Sequence, residues 1–439
     1  MTGALRIAIN AQLRPGSGVG GLETVLRVLS SLSSLDDGDE EYVFVGPSDD
    51  YEWLRPHLGS RGTIVPVRLD LDIPVQRVAP PQSRMLEPIK RMLRPGRALL
   101  RRLVSPPQEE PLRQLPSSNG FFESLGCEVI HFPFQWYVQC ELPAVYNPHD
   151  LQHLHYPEFF SDEVRQWRGW VYPAACRSAH TVVAASRFIE DDIARRLSIP
   201  REKLQTIWWA PLPLSAREVE SEQASCASIR ARLHLPDNPF MLYPAMTWAH
   251  KNHIRLIEAI ALLRDRYALR VHLVCSGAQN EHFGAIERAI KSHRLNDQVH
   301  FVGMVSHTDL GALYRSASFV VVPTLFEAAS APVFEAWQRG KAVACAAVTS
   351  LPEQAGDAAF LFDPLVVEDI ARVVRLLSTD SDLRAALEQR GVRRLQVFDP
   401  QRTARSYRAV YRRAAGRALS DEDRWLLMSG AEPPAAGEV

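Results

Sequence analysis

Two glutamates eight positions apart, Glu327 and Glu335, are the residues whose type and spacing first suggest chemistry. The apolar run 319–322 before them predicts a strand buried on both faces, and the segment 332–339 predicts a helix that Gly340 can end. Glu327 then lies at the carboxyl end of a strand, where open parallel sheets bind ligands. Each carboxylate can accept hydrogen bonds from a pair of hydroxyls, which suits a polyol. The alternative is that one glutamate favours a helix N-terminus and the other is solvated.

The stretch 323–336 resembles the Glu-x7-Glu motif of retaining glycosyltransferases of the GT-B fold, the group that includes glycosyltransferase group 1 and the sucrose-synthase-like family 4. The resemblance implies that Glu327 contacts the donor sugar and that Glu335 holds the ribose of the nucleotide. It also implies donor contacts from the loop between the two glutamates, which departs from the usual glycines and consists of Ala328, Ala329, Ser330 and Ala331. Ser330 is in addition expected to cap the helix, and Pro332 suits its first turn.

Lys251 is a candidate for diphosphate binding, because it is predicted at the start of a helix, where free N–H groups and the dipole attract an anion. A positive charge there can stabilise a departing phosphate, whereas the alternative is a solvated lysine. The family has a basic pair at this place, and only Lys251 matches it cleanly. Thr247 lies near the position of the expected arginine, and His250 is the candidate substitute. Gly303 and Met304 match the loop that holds the nucleobase through backbone groups.

The first half of the chain contains two further candidate sites. A Gly-rich turn between a predicted strand and helix can bring backbone close to a phosphate, although a merely flexible turn is as common. The resemblance implies that Gly20 and Gly21 in this turn face the donor diphosphate. His149 and Asp150 resemble the family's His-Asp pair, in which the histidine faces the reacting centre and the aspartate orients its ring. The predicted catalytic set therefore adds His149 to Lys251 and Glu327.

A metal site is not predicted. His149, His153 and His155 are close in sequence, but histidines scattered on a loop are more often hydrogen-bonded structure than ligands. The six cysteines have neither metal-type nor redox-type spacing and are expected to be buried thiols in a reducing compartment. The resemblance likewise implies no metal cofactor.

Composition is that of a soluble globular protein, with 46% hydrophobic and 23% charged residues. The formal net charge of −1 gives no indication of a nucleic-acid partner. The start of the chain lacks the pattern of a signal peptide, and no run reaches the roughly 20 apolar residues of a membrane span. The predicted localisation is therefore cytoplasmic.

One segment, roughly 74–118, departs from the strand and helix pattern. Residues 84–103 carry seven basic side chains against one acid, Glu87, with apolar residues interleaved. Such an amphipathic pattern suits the anionic surface of a membrane, here the inner membrane. The alternative is a solvated lid whose leucine face packs on its own domain.

The resemblance implies an α/β fold with GT-B architecture, two Rossmann-like domains with parallel sheets that face a cleft. Strands and helices alternate along the second half, which itself favours right-handed crossovers and a doubly wound sheet. Ser350 and Glu353 fit a capping box. The predicted boundaries are an acceptor domain at 1–212, a linker at 213–235, a donor domain at 236–399, a helix returning to the first domain at 400–419, and a disordered tail at 429–439.

The resemblance implies retaining transfer of a sugar from a nucleotide-diphosphate sugar to a glycan or lipid-linked acceptor, in the synthesis of a bacterial surface polysaccharide or glycoconjugate. Two other hypotheses stay open. One keeps the fold with a different reaction, that of a nucleotide-sugar epimerase or a sugar phosphorylase. The other is a non-catalytic subunit that binds a nucleotide sugar, for which the alanine-rich loop 328–331 is the hint.

Overall fold

The computed structural model describes residues 3–12, 26, 28–48, 51–67 and 114–429. Gly20, Gly21 and positions 74–113 of the basic segment lie outside these residues, so their predicted roles stay predictions. The described chain forms two parallel β-sheets of seven and six strands, each with its own apolar core. The α/β GT-B class predicted from the sequence is therefore confirmed.

The first sheet has the strand order β3-β2-β1-β4-β5-β6-β7, and all its paired strands are parallel. Its strands are β1 (Arg6–Asn10), β2 (Glu41–Pro47), β3 (Gly62–Val67), β4 (Val129–Phe132), β5 (Ala144–Tyr146), β6 (Thr181–Ala184) and β7 (Leu204–Thr206). The α-helices among these strands are α1 (Phe121–Ser124), α2 (Gln152–His155), α3 (Asp162–Ser178) and α4 (Arg187–Leu197). Sequence order reverses between β1 and β4, which opens a crevice at their carboxyl ends.

The second sheet has the order β10-β9-β8-β11-β12-β13 and is also parallel. Its strands are β8 (Phe240–Pro244), β9 (His272–Ser276), β10 (Val299–Gly303), β11 (Phe319–Val322), β12 (Val343–Ala346) and β13 (Phe360–Phe362). Its helices are α5 (Ala216–Arg232), α6 (His253–Tyr267), α7 (Phe283–Ser292), α8 (His307–Ser316), α9 (Ala331–Gln338), α10 (Leu351–Ala355), α11 (Val367–Thr379) and α12 (Ser381–Gln396). Here the order reverses between β8 and β11.

The segment 213–235, predicted as a linker, contains the 17-residue helix α5. Ser215 and Glu218 form a capping box at its start. Its buried Glu222 pairs with Arg315 of α8 and with Arg339 just after α9. Since these partners belong to the second domain, α5 packs as one of its helices.

The last two helices, α13 (Pro400–Ala414) and α14 (Asp421–Ser429), follow the second sheet in sequence. Side chains of α13 nevertheless belong to the first core, where Tyr411 contacts His131 through its hydroxyl at 2.7 Å from Nδ1. The other ring nitrogen of His131 lies 2.8 Å from Asn147 Oδ1, and the amide of Asn147 donates to Tyr407 at 2.9 Å. This buried network joins α13 to β4 and to the loop after β5.

Among the helices in the described ranges, none is both long enough and apolar enough to cross a bilayer.

Candidate active site

The centre of the site is a pair of side chains from two adjacent strands. Lys251 ends a short 3-10 helix (Ala249–Lys251) that follows β8, and Glu327 lies in the loop that follows β11. Because β8 and β11 pair in parallel at the point where strand order reverses, both loops leave the same edge of the sheet. The Lys251 ammonium donates a hydrogen bond to the Glu327 carboxylate, with the side chains 20% and 13% exposed.

Asn252 fixes the Lys251 loop against its neighbours. Its backbone is left-handed (φ 60°), which asparagine tolerates better than most residues. The buried side-chain amide donates to the carbonyls of Pro323 and Pro364, both at 2.9 Å. Arg255 donates to the Asn252 side-chain oxygen at 3.0 Å. The loops after β8, β11 and β13 are thereby tied to one side chain.

The backbone of Glu327 is held by two hydroxyls from the loop after β12. Thr349 Oγ1 donates to the Glu327 carbonyl at 2.7 Å and lies 3.1 Å from the Glu327 amide, which donates to it. Ser350 Oγ donates to the same carbonyl at 2.8 Å. Thr349 adopts a left-handed backbone (φ 51°), which is strained for a β-branched residue. Strain of this kind is common where a loop must hold one conformation.

Glu335 is positioned by α9. Pro332 occupies the first turn of this helix, and Gly340 follows its end with φ 65°, as the sequence predicts. Oε2 of Glu335 accepts a hydrogen bond of 2.6 Å from the hydroxyl of buried Tyr314. The Arg339 guanidinium lies 5.2 Å from the centre of the Tyr314 ring. The carboxylate predicted to hold ribose is thus oriented from one side by a buried phenol.

The alanine-rich loop between the glutamates is anchored through Ser330. Its amide donates to Gln354 Oε1 and its carbonyl accepts from Gln354 Nε2, each at 2.9 Å. Ser330 is the residue before α9, but its side chain makes no capping hydrogen bond. The capping expected of this hydroxyl is therefore wrong, because the Ser330 backbone is turned toward Gln354. Its Oγ is buried and has no partner among the described residues.

Neither Thr247 nor His250 carries the positive charge of the arginine that the family has at this place. Thr247 is fully buried, and its hydroxyl bonds to Asn280 at 3.0 Å. Burial lowers the pKa of His250 well below its usual value, so its imidazole is neutral at pH 7. The prediction that His250 replaces the positive charge of the arginine is therefore not supported. The His250 carbonyl instead accepts from the amide of Leu325 at 2.8 Å, which links the loops after β8 and β11.

The predicted nucleobase loop follows β10. Gly303 has φ 71°, a conformation that favours glycine, and its carbonyl accepts from the Gly277 amide at 2.8 Å. A β-carbon built on Gly303 meets nothing within 4 Å. Met304 is 71% exposed. The backbone here is open to a flat ligand.

His149 lies beyond β5 with a left-handed backbone (φ 65°). Its Nε2 is 2.7 Å from the carbonyl of Pro133, and burial lowers the pKa of the imidazole. Asp150 does not orient this ring, contrary to the sequence-based expectation. Its carboxylate instead accepts from the Gln152 amide at 3.0 Å and lies 3.7 Å from Arg168. The ring of Phe159, in the first domain, lies 6.5 Å from the ring of His250, so loops of the two domains meet here.

The other two histidines of this segment are structural. His153 is buried with its ring edge-on to Tyr172 at 5.2 Å. His155 Nε2 contacts Asp192 of α4 at 2.7 Å. Within the described ranges, no group of three His, Cys, Asp or Glu side chains is arranged to hold a metal ion.

Two contacts between the domains are not foreseen by the sequence. Glu353 does not complete a capping box with Ser350; its carboxylate accepts from the amides of Arg187 and Phe188 at 3.0 and 2.8 Å, at the start of α4. Phe326, next to Glu327, is buried in the core of the first domain. A local pattern of Ser and Glu looks the same whether the carboxylate folds back or reaches another domain.

Comparison with known proteins places the chain in a class. The model for glycosyl transferases group 1 matches residues 227–394, and that for glycosyltransferase family 4 matches residues 70–208. Sucrose-phosphate synthase from Thermosynechococcus elongatus has a similar fold, with a TM-score of 0.63 and 20% identity over 93% of this chain and 98% of its own. The Anabaena protein HepE, solved in complex with UDP and glucose, gives a TM-score of 0.62 at 15% identity over 92% and 99%.

This chain belongs to the GT-B glycosyltransferases, with a family 4 domain followed by a group 1 domain. Among curated relatives, O-antigen chain mannosyltransferase B of Escherichia coli is 27% identical over 58% of this chain and 66% of its own length. The serotype-specific mannosyltransferase WbdA of Escherichia coli is 33% identical over 40% of this chain and 22% of its own. The matched region therefore spans slightly less than two thirds of the first relative and about a fifth of the second.

Proposed function

We propose that this protein transfers a sugar from a nucleotide-diphosphate sugar to a glycan or lipid-linked acceptor, with retention at the anomeric carbon. The observation that carries the proposal is the pairing of Lys251 with Glu327 at the carboxyl edge of the second sheet, with Glu335 on the helix that follows the Glu327 loop. A diphosphate needs a cation, and a sugar and a ribose each need hydroxyl acceptors. The second domain supplies all three groups, two of them on loops that hydrogen bonds tie together and the third on α9.

In the reaction we propose, the bond between the anomeric carbon and the β-phosphate oxygen breaks and the acceptor oxygen bonds to that carbon. Negative charge grows on the departing diphosphate, where Lys251 and the amides at the start of α6 stabilise it. The acceptor's proton passes to a phosphate oxygen on the same face of the sugar. This course needs no protein nucleophile, and His149, neutral at pH 7, contributes by hydrogen bonding to the sugar or the acceptor.

The relatives guide the choice of donor and acceptor. Mannosyltransferases of O-antigen synthesis are among them, so a mannosyl nucleotide is the first donor to test, in the synthesis of a bacterial surface polysaccharide or glycoconjugate. Solved neighbours bound to UDP support a nucleotide-sugar donor in general. We infer that Lys251 takes the place of a metal ion at the diphosphate. The basic segment 84–103 is our candidate for contact with the inner membrane surface.

The test is a transfer assay with a panel of nucleotide sugars and a lipid-linked or oligosaccharide acceptor, in the presence of EDTA. Nuclear magnetic resonance of the product then gives its anomeric configuration. A product with the configuration of the donor supports the proposal, whereas an inverted product contradicts retention. Donor conversion without an acceptor favours an epimerase, and phosphate-dependent release of sugar phosphate favours a phosphorylase. Donor binding with no turnover favours a binding subunit.

A further inference from the structure

The loop that carries Glu327 is anchored in both domains. Phe326 is 3% exposed and packs among aromatic rings of the first domain, with centroid distances of 5.0 Å to His155 and 6.2 Å to Phe188. The next residue, Glu327, turns to Lys251 of the second domain. Any change in the distance between the domains therefore acts on Phe326, the residue next to Glu327.

A second contact joins the domains close by. The Glu353 carboxylate accepts hydrogen bonds from the first two amides of α4, those of Arg187 and Phe188. A helix N-terminus carries a partial positive charge and unpaired N–H groups, so a carboxylate is the partner it favours. Bonds of this charge-assisted kind are stronger than neutral ones.

The segment that carries Glu353 also holds Glu327. Thr349 and Ser350 bond to the Glu327 backbone, and Glu353 follows them on α10. The left-handed backbone of Thr349 is strained, and its two hydrogen bonds to Glu327 hold it in place. Residues 349–353 thus connect the first domain to the backbone of the donor loop.

We propose that Phe326 and Glu353 are positioning residues, which place Glu327 against the donor sugar through the contact of the two domains. The inference rests on the proposed function, since it assigns Glu327 to the sugar. The loop of Lys251 is held by Asn252 and the Glu335 carboxylate by Tyr314, and both groups belong to the second domain. The Lys251 ammonium itself bonds to Glu327. Apart from the bond between Lys251 and Glu327, which a bound diphosphate would replace, nucleotide binding and sugar placement are therefore supported by separate sets of contacts.

Because these contacts are separate, we expect substitutions at the domain contact to lower kcat without changing the Kd of the nucleotide. In Glu353→Ala and in Phe326→Leu, the Kd of a nucleoside diphosphate measured by calorimetry stays within about twofold of wild type. The kcat falls by about tenfold to a hundredfold, because small displacements of a group at the reacting centre cost rates of that order. Glu353→Gln recovers part of the kcat, since its amide oxygen still accepts one hydrogen bond. Glu287→Ala, on the exposed face of α7, is the matched control and keeps both constants.

A measurement that does not depend on activity distinguishes failure of this inference from failure of the proposed function. Small-angle scattering gives the radius of gyration, which is expected to be larger in Glu353→Ala than in wild type and unchanged in Glu287→Ala. If wild type binds none of UDP, GDP, ADP and dTDP, the proposed function fails while scattering still tests the domain contact. The inference is overturned if kcat is unchanged in both variants, if Kd rises as kcat falls, or if the radius does not change.

Discussion

Lys251 donates a hydrogen bond to Glu327, a residue 76 positions further along the chain, so the cation and the carboxylate assigned to the donor neutralise one another. Both side chains are mostly withdrawn from water, which strengthens the interaction relative to a surface pair. A diphosphate that binds Lys251 competes with Glu327 for the ammonium. Under the proposed function the carboxylate is then free to accept hydrogen bonds from sugar hydroxyls, so donor binding itself would release the group that we propose recognises the sugar.

This competition predicts opposite effects of two substitutions on nucleotide binding. Lys251→Met removes a charge-assisted contact of about 1.5–3 kcal/mol, so the Kd of a nucleoside diphosphate rises roughly tenfold to a hundredfold. Glu327→Gln frees the ammonium, so the Kd stays equal or falls while turnover drops. Calorimetry with the two purified variants makes the comparison. Weaker nucleotide binding in Glu327→Gln contradicts the competition.

A second prediction concerns Tyr314, whose hydroxyl orients Glu335. Tyr314→Phe removes this bond and keeps the buried ring, so nucleoside diphosphate binding weakens by about tenfold, less than in Glu335→Ala. If Glu335 binds ribose hydroxyls, Glu335→Ala binds a nucleoside diphosphate and its 2′,3′-dideoxy analogue equally. Wild type prefers the former. If Glu335→Ala still prefers the nucleoside diphosphate over its dideoxy analogue, Glu335 does not bind the ribose.

A third prediction is the direction of the pH dependence of stability. Burial lowers the pKa of His131 to about 3, of His153 to about 4 and of His253 to about 3, from 6.5. Between pH 6.5 and about 4, the unfolded chain binds protons that the folded chain does not. The free energy of unfolding therefore falls as the pH is lowered, by about 1.4 kcal/mol per histidine and pH unit.

Denaturant unfolding at several pH values measures this slope. His253 lies between the rings of Tyr243 and Phe301, at 4.7 and 5.8 Å, so His253→Phe is a conservative change in shape. In this variant the dependence of the unfolding free energy on pH is expected to be smaller by the contribution of one histidine. Stability that is flat down to pH 4, or a wild-type slope in the variant, contradicts the assignment.

A fourth prediction tests how α13 is fixed to the first domain. Arg412 contacts two buried carboxylates, Glu40 at 2.6 Å and Asp423 at 3.0 Å. Arg412→Met leaves both without their cation, which costs about 3–5 kcal/mol of unfolding free energy. Arg424→Met, which removes an exposed pair with Asp421, is the control and has little effect. Equal stability of the two variants rules out this role for Arg412.

The sequence predicts the second domain well because its strands are continuous apolar runs. Strand β11 has the predicted bounds, 319–322, and α9 (Ala331–Gln338) differs by one residue at each end from the predicted 332–339. Such runs and periods depend on burial alone and need no knowledge of distant contacts. The polar helix α5 is missed for the opposite reason, because it is held by its capping box and by the ion pairs of Glu222.

The sequence indicates which element carries each candidate side chain, but it does not indicate which other side chains that residue contacts. Glu335 lies on the helix that its spacing indicates, yet nothing local reveals that Tyr314 is its partner. Asp150 follows His149 in sequence, but the backbone turn at φ 65° separates their side chains. Glu353 finds its partners in another domain. Contacts between residues far apart in sequence have no signal in one chain.

The measurement that tests the donor site most directly is thermal unfolding of wild type and Glu335→Ala with UDP, GDP, ADP and dTDP. A ligand at about 100 times its Kd adds roughly 2.7 kcal/mol to the stability of the protein that binds it. The donor-site assignment predicts that at least one of the four nucleotides raises the Tm of wild type, and that the rise is reduced or absent in Glu335→Ala. No rise with any of them, or an equal rise in the variant, contradicts the assignment.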